Sequence, residues 1–141
     1  MKKSLILLAL FLGACEFDQT LEYQIDPRIE NTVNEFFKEA EARGVFIPKE
    51  NLKAIIVKKL DGNYGQARTN GDQRIILLIE ICTLWDRPHQ EVIVFHELGH
   101  ALLKRGHTCE NNSIMCDQVK LSAFIGDPDK RRILLDELFN N

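Results

Sequence analysis

Three of the chain's four histidines fall within the twelve residues HELGHALLKRGH, His96 to His107. His96 and His100 are four residues apart, so on a helix they share one face, one turn apart. Two imidazoles at that spacing reach a single ion with Zn–N bonds of about 2.0–2.1 Å. Glu97 then projects beside the ion rather than onto it. From there its carboxylate can take a proton from zinc-bound water and deliver it to a leaving amine. This is the chemistry of an HExxH helix, with Zn2+ as the expected cofactor. The alternative is a helix that carries two surface or core histidines and no metal.

A catalytic zinc generally takes a third protein ligand. His107 is seven residues after His100, and on an unbroken helix it would lie about 10 Å further along the axis, too far to share the ion. The helix must therefore end between them. Lys104 and Arg105 suit a last turn, and Gly106 is expected to adopt the left-handed conformation that stops it, letting His107 swing back. An acidic third ligand, Glu110 or Glu137, is the competing choice. His89, about two turns before His96, reads as a surface residue.

Downstream lies Asn112-Ser113-Ile114-Met115. Together with His96, Glu97, His100 and His107, this Ser-Ile-Met resembles the metzincin zinc peptidases, whose Met-turn places a methionine beneath the metal histidines. The whole stretch is similar to small bacterial lipoproteins described as zinc metallopeptidases with a HELGH-x-x-L-x-R-x-H motif. The resemblance covers Arg74 to Met115 best. It implies a small zincin-like domain in which His96, His100 and His107 bind zinc, Glu97 is the general base and Met115 supports the site. It also implies that the strand Arg74 to Cys82 lines the cleft and pairs with an extended substrate. Two departures stand out. The common long motif has a glycine three residues after its second histidine and the third histidine three residues later; here those positions are Leu103 and Gly106, and the histidine falls at 107. Many metzincins also carry a tyrosine two residues after the methionine, where this chain has Asp117.

The elements that must hold these residues can be read from the pattern. Asp26-Pro27 reads as a helix start, Ile29, Val33, Phe36, Phe37 and Ala40 recur at helical spacing, and Gly44 stops the helix. Asn51 to Leu60 reads as a strand. Asp61-Gly62 and Asn70-Gly71 are turn signals, with a short strand or loop from Asn63 to Thr69 between them. Arg74 to Cys82 suits a strand buried on both faces. Asp86-Arg87-Pro88 opens the central helix, expected to run to about Arg105. A polar loop follows from Thr108 to Ser113. Asp127-Pro128 starts a last helix packing through Ile133, Leu134 and Leu138. Gly99 inside the central helix costs about 1 kcal/mol relative to alanine, which points to close packing against the sheet or the next loop. The expected fold is α+β, a mixed sheet packed on an N-terminal helix and a central site-bearing helix, with a C-terminal helix.

With 141 residues, one domain is expected. A net charge of -3 and the absence of a basic cluster beyond the first residues argue against a nucleic-acid partner. Lys2 and Lys3, the apolar run Leu5 to Leu12 and the small residues after it suit a secretory signal. Leu12-Gly13-Ala14-Cys15 resembles a bacterial lipobox, so 1–14 reads as a removed lipoprotein signal peptide, Cys15 as the lipidation site, 15–25 as a tether and 26–141 as the domain. Glu16, rather than Asp, after the cysteine is compatible with outer-membrane delivery in the cell envelope. The alternative is a plain signal peptide with an incidental cysteine. Of the other cysteines, Cys109 and Cys116 flank a short polar stretch and form the candidate disulfide, contributing about 2–3 kcal/mol. Cys82 sits in an apolar run, and the odd count leaves the pairing open.

These readings combine into an expectation of a lipid-anchored zinc metalloendopeptidase. Its partners would be protein or peptide substrates and, through Cys15, a membrane. The competing expectation is a non-enzymatic zinc-binding lipoprotein or an inactive peptidase relative acting as a binding module.

Overall fold

The computed structural model describes residues 23–69, 75–80, 86–110, 113–117 and 127–140. The signal peptide, Cys15, most of the tether, the Asn70-Gly71 turn, Cys82 and Asn112 lie outside the described residues. Three helices and a four-stranded mixed sheet make an α+β arrangement. In chain order they are β1 (Gln24–Ile25), α1 (Glu30–Ala42), β2 (Leu52–Val57), β3 (Gly65–Thr69), β4 (Ile75–Glu80), α2 (Arg87–Leu102) and α3 (Pro128–Asn140).

The strands lie in the order β1-β2-β4-β3. β1 runs parallel to β2, β2 parallel to β4, and β3 antiparallel to β4. Residues 24–25, expected as tether, therefore belong to the sheet. Asp26 extends this pairing by donating its N–H to the Ala54 carbonyl at 2.9 Å. That contact also corrects the first helix. α1 begins at Glu30, and its N-cap residue Ile29 makes no side-chain capping bond. The Asp26 carboxylate is instead taken by the backbone N–H and guanidinium of Arg28. The other end follows expectation. Gly44 has φ +75°, and Gly44 and Val45 donate to the Glu41 and Ala40 carbonyls, a left-handed stop that satisfies the last turn.

β4 is buried on both faces as its composition requires: Leu77, Leu78 and Ile79 are consecutive and all buried. Its position differs from the expectation for Arg74 to Cys82. β4 is hydrogen-bonded on one side to β2 and on the other to β3, so it has no free edge for a substrate. Among the described residues the edge strands are β1 and β3, and β3 is the one beside β4.

One core joins the inner sheet face to the three helices. Ile29, Val33, Phe36, Phe37 and Ala40 are all buried. Phe36 links the helices, with its ring centroid 5.2 Å from Phe95 of α2 and 5.1 Å from Phe139 of α3. Asp86 caps α2, accepting from the His89 N–H at 2.8 Å. Asp127 likewise accepts from the N–H groups of Asp129 and Lys130 at the start of α3. The packing face of α3 is Leu134, Leu135, Leu138 and Phe139, whereas Ile133 is 56% exposed. At about 100° per residue, Ile133 lies opposite the centre of that stripe, so its apolar character misdirected the reading. No helix of the described residues is long and apolar enough to cross a membrane.

Candidate metal centre

α2 presents His96 and His100 from successive turns of one face. It ends at Leu102, with Leu103 as C-cap, about a turn before the expected stop at Arg105. The left-handed residue is Lys104, at φ 59°, and not Gly106. Lys104 returns its ammonium to the Ala101 carbonyl at 2.6 Å, and the Arg105 N–H donates to the Gly99 carbonyl at 3.1 Å. The chain turns there and brings His107 back. Lys104 is one residue beyond the motif's glycine position and three before His107. The later histidine thus follows a turn that is itself one residue later.

The three rings meet at their Nε2 atoms. His96 and His100 are 3.0 Å apart there, His100 and His107 3.0 Å, and His96 and His107 3.3 Å. The other ring nitrogens explain what this contact means. His96 Nδ1 lies 2.8 Å from the Ile114 carbonyl and His100 Nδ1 lies 2.7 Å from the Arg105 carbonyl. A carbonyl oxygen only accepts, so each Nδ1 carries the proton and each Nε2 of a neutral ring carries a lone pair. Two acceptors facing each other at 3.0 Å repel unless a cation lies against both. The three nitrogens are close enough to share one ion at about 2 Å. His96, His100 and His107 can therefore hold a metal ion. Burial keeps the His96 ring below the usual histidine range, with the Ile114 carbonyl opposing and the charges of His100 and His107 reinforcing the shift. The neutral ring is the form that binds metal. His96 is buried, His100 half-buried and His107 exposed, so the site opens to solvent on one side.

The centre lies in a cavity of about 530 Å³ lined by residues 62–67 on one side and by Ile93, His96, Glu97, His100, His107 and Asp117 on the other. Glu97 is buried on α2 and faces β3. Burial pushes its carboxyl up to about 7, while the Ala67 N–H bonded to it pulls the other way. A carboxyl near neutrality both accepts and releases a proton under ordinary conditions. Its neighbour is Gly65. A Cβ there would stand 2.5 Å from Glu97 Cγ and 2.8 Å from Oε1, so only glycine leaves room for the carboxylate. The short strand allowed between Asn63 and Thr69 is β3, but the role of Gly65 at its start went unread. The available signal was a glycine inside a short strand-like segment, which marks close approach by another group.

Met115 is fully buried beneath α2. A Cβ on Gly99, one residue before His100, would lie 2.5 Å from its sulfur and 3.3 Å from Leu138. Gly99 thus serves contact with the following loop and α3, not with the sheet. Cys109 and Cys116 form a disulfide that brackets the loop between His107 and Met115. Asp117 lines the cavity wall. The alternative acidic ligands are not part of the histidine group: Glu110 is exposed, and Glu137 is bound to Arg105 and Ser113. His89 pairs with Asp86 at the start of α2, away from the three histidines.

No family model, curated protein or solved structure matches the chain. The functional reading therefore rests on the site's own chemistry.

Proposed function

We propose that the protein is a zinc-dependent metalloendopeptidase of metzincin type, held in a bacterial envelope, at the outer membrane, by acyl chains on Cys15. The observation that carries the reading is the convergence of three histidine Nε2 atoms in the cavity that also receives the Glu97 carboxyl. His96, His100 and His107 would hold the zinc. When bound, such an ion supplies Lewis acidity, which polarises a carbonyl and acidifies water.

The chain's own groups supply the rest. Glu97, set against Gly65 and the Ala67 N–H, receives a proton from the attacking water at its carboxylate and passes it to the departing amine. Among the described residues no strand pairs with the outer edge of β3, which runs along the same cavity, a geometry suited to an extended peptide. The lipobox-like Leu12-Gly13-Ala14-Cys15 supports the anchor, and the substrates would be envelope or extracellular proteins.

The test begins with metal analysis of the full chain purified without added zinc or chelator. About one zinc per chain is expected, with affinity in His107→Ala falling by more than the roughly 10–100-fold typical of residues that only orient ligands. Glu97→Gln should keep the zinc and lose hydrolysis of an unfolded protein substrate. A folded chain that takes up no zinc sinks the reading. Zinc binding with no Glu97-dependent hydrolysis points instead to a non-enzymatic zinc-binding lipoprotein.

A further inference from the structure

Two backbone carbonyls orient the metal-facing rings: Ile114 O holds His96 and Arg105 O holds His100. They lie in different loops, yet both lead to one side chain on α3. The Glu137 carboxylate accepts from the Arg105 guanidinium through Oε1 at 2.6 Å and from the Ser113 hydroxyl through Oε2 at 2.7 Å. Both Arg105 and Glu137 are largely shielded, with side chains 13% and 17% exposed.

Each arm reaches a ring by a short path. Having donated its hydroxyl proton to Glu137, Ser113 Oγ accepts the Met115 N–H at 3.0 Å. That N–H belongs to the same peptide plane as the Ile114 carbonyl. The plane is rigid, so fixing the N–H fixes the direction of the oxygen that receives His96 Nδ1–H. On the other arm, Arg105 also donates to the Glu137 and Leu138 carbonyls near the end of α3, both at 2.9 Å. Cations at a helix C-terminus are favourably placed. Its side chain is thus pinned to α3 while its own carbonyl receives His100 Nδ1–H.

We propose that Glu137 is a positioning residue that sets the tautomer and orientation of both α2 histidines at once, so that α3 tunes the metal centre without touching it. The inference rests on the metal reading of the three histidines. It assigns Glu137 a role distinct from that of the third ligand considered from sequence. Partners that fix ligand rings this way commonly control affinity 10–100-fold.

The experiment compares the full chain with Glu137→Ala, Ser113→Ala and Asp136→Ala. Asp136→Ala removes a neighbouring α3 ion pair, to Arg43, that leads to neither carbonyl. Zinc affinity is read by chelator competition, and the imidazole nitrogens of the zinc-free protein by NMR. Glu137→Ala is expected to lose roughly 10–100-fold in zinc affinity and to release the Nδ1–H tautomer at both His96 and His100. Ser113→Ala should release His96 alone, and Asp136→Ala neither. If Glu137→Ala does not fold, a folded Ser113→Ala with the His96 tautomer unchanged overturns the proposal. So does an Asp136→Ala protein that loses zinc affinity as Glu137→Ala does, since the effect would then be general stability. A wild-type chain that binds no zinc removes the metal reading, while the tautomers still decide whether Glu137 holds the rings.

Discussion

Glu97 can stand in the cavity because a side chain is missing opposite it. Gly65→Ala would put a methyl group 2.5 Å from Glu97 Cγ, and the carboxylate must move. The three histidines do not depend on that contact. Zinc content should therefore stay unchanged while hydrolysis falls about 100-fold, the scale expected when a catalytic group is displaced by about 1 Å. Equal loss of zinc and activity in Gly65→Ala would refute this division of roles. The case also shows what is legible at a single residue. His96, Glu97 and His100 were readable because helical periodicity is local, and four residues of spacing fix a shared face. Gly65 owes its importance to a residue 32 positions away on another element, a relation that no local pattern carries. Glu137 looked like a candidate ligand for the same reason: its type was visible, but its partners Arg105 and Ser113 were not.

Element ends were legible where one side chain made the cap, and misread where the rest of the fold competed for it. Asp86 and Asp127 each cap the helix they precede, as read. Asp26 had the same sequence signature, but pairing with β2 drew its backbone into the sheet and Arg28 took its carboxylate. The end of α2 is the more consequential difference. Gly106 looked like the natural stop, yet Lys104 takes the left-handed conformation, and the chain turns there before His107. An L-residue in that conformation carries a cost of roughly 1–2 kcal/mol. Lys104→Gly should therefore be at least as stable as wild type in denaturant unfolding, even with the bond to Ala101 lost. Lys104→Val, branched where φ is positive, should lose about 1–2 kcal/mol and bind zinc more weakly. A valine variant as stable as wild type would mean that the turn relocates toward Gly106 and that His107 does not depend on Lys104.

At the level of the whole chain, composition and periodicity conveyed the α+β class and the main elements but not the strand order. The burial of β4 on both faces was readable from its apolar run; its place between β2 and β3 depended on which strands pair, a relation between distant segments that no local pattern carries. Charge pairing between helices was equally hidden. Arg131 on α3 reaches Glu39 on α1 at 2.7 Å and Glu91 on α2 at 2.6 Å, and Arg43 joins Glu39 at 2.6 Å to Asp136 at 2.9 Å. This network closes the side of the helical layer that the Phe36 cluster fills from within. Burial would raise the Glu39 carboxyl, but hydrogen bonds from Arg131 and Arg43 outweigh it and hold the group below its ordinary value of 4.5. The sign follows from linkage. A carboxyl with a depressed folded-state value binds its proton more weakly when folded, so its ionised form stabilises the fold. That contribution is complete above the unfolded value and fades as pH falls through the folded one. Glu39→Gln should therefore destabilise the protein by a constant amount at neutral and mildly acidic pH. Thermal unfolding followed across pH should show the gap between wild type and variant closing below about pH 4.5, where Glu39 takes up its proton. A gap that stays open well below the carboxylate range would show that Glu39 links the helices by packing and neutral hydrogen bonds rather than by its charge.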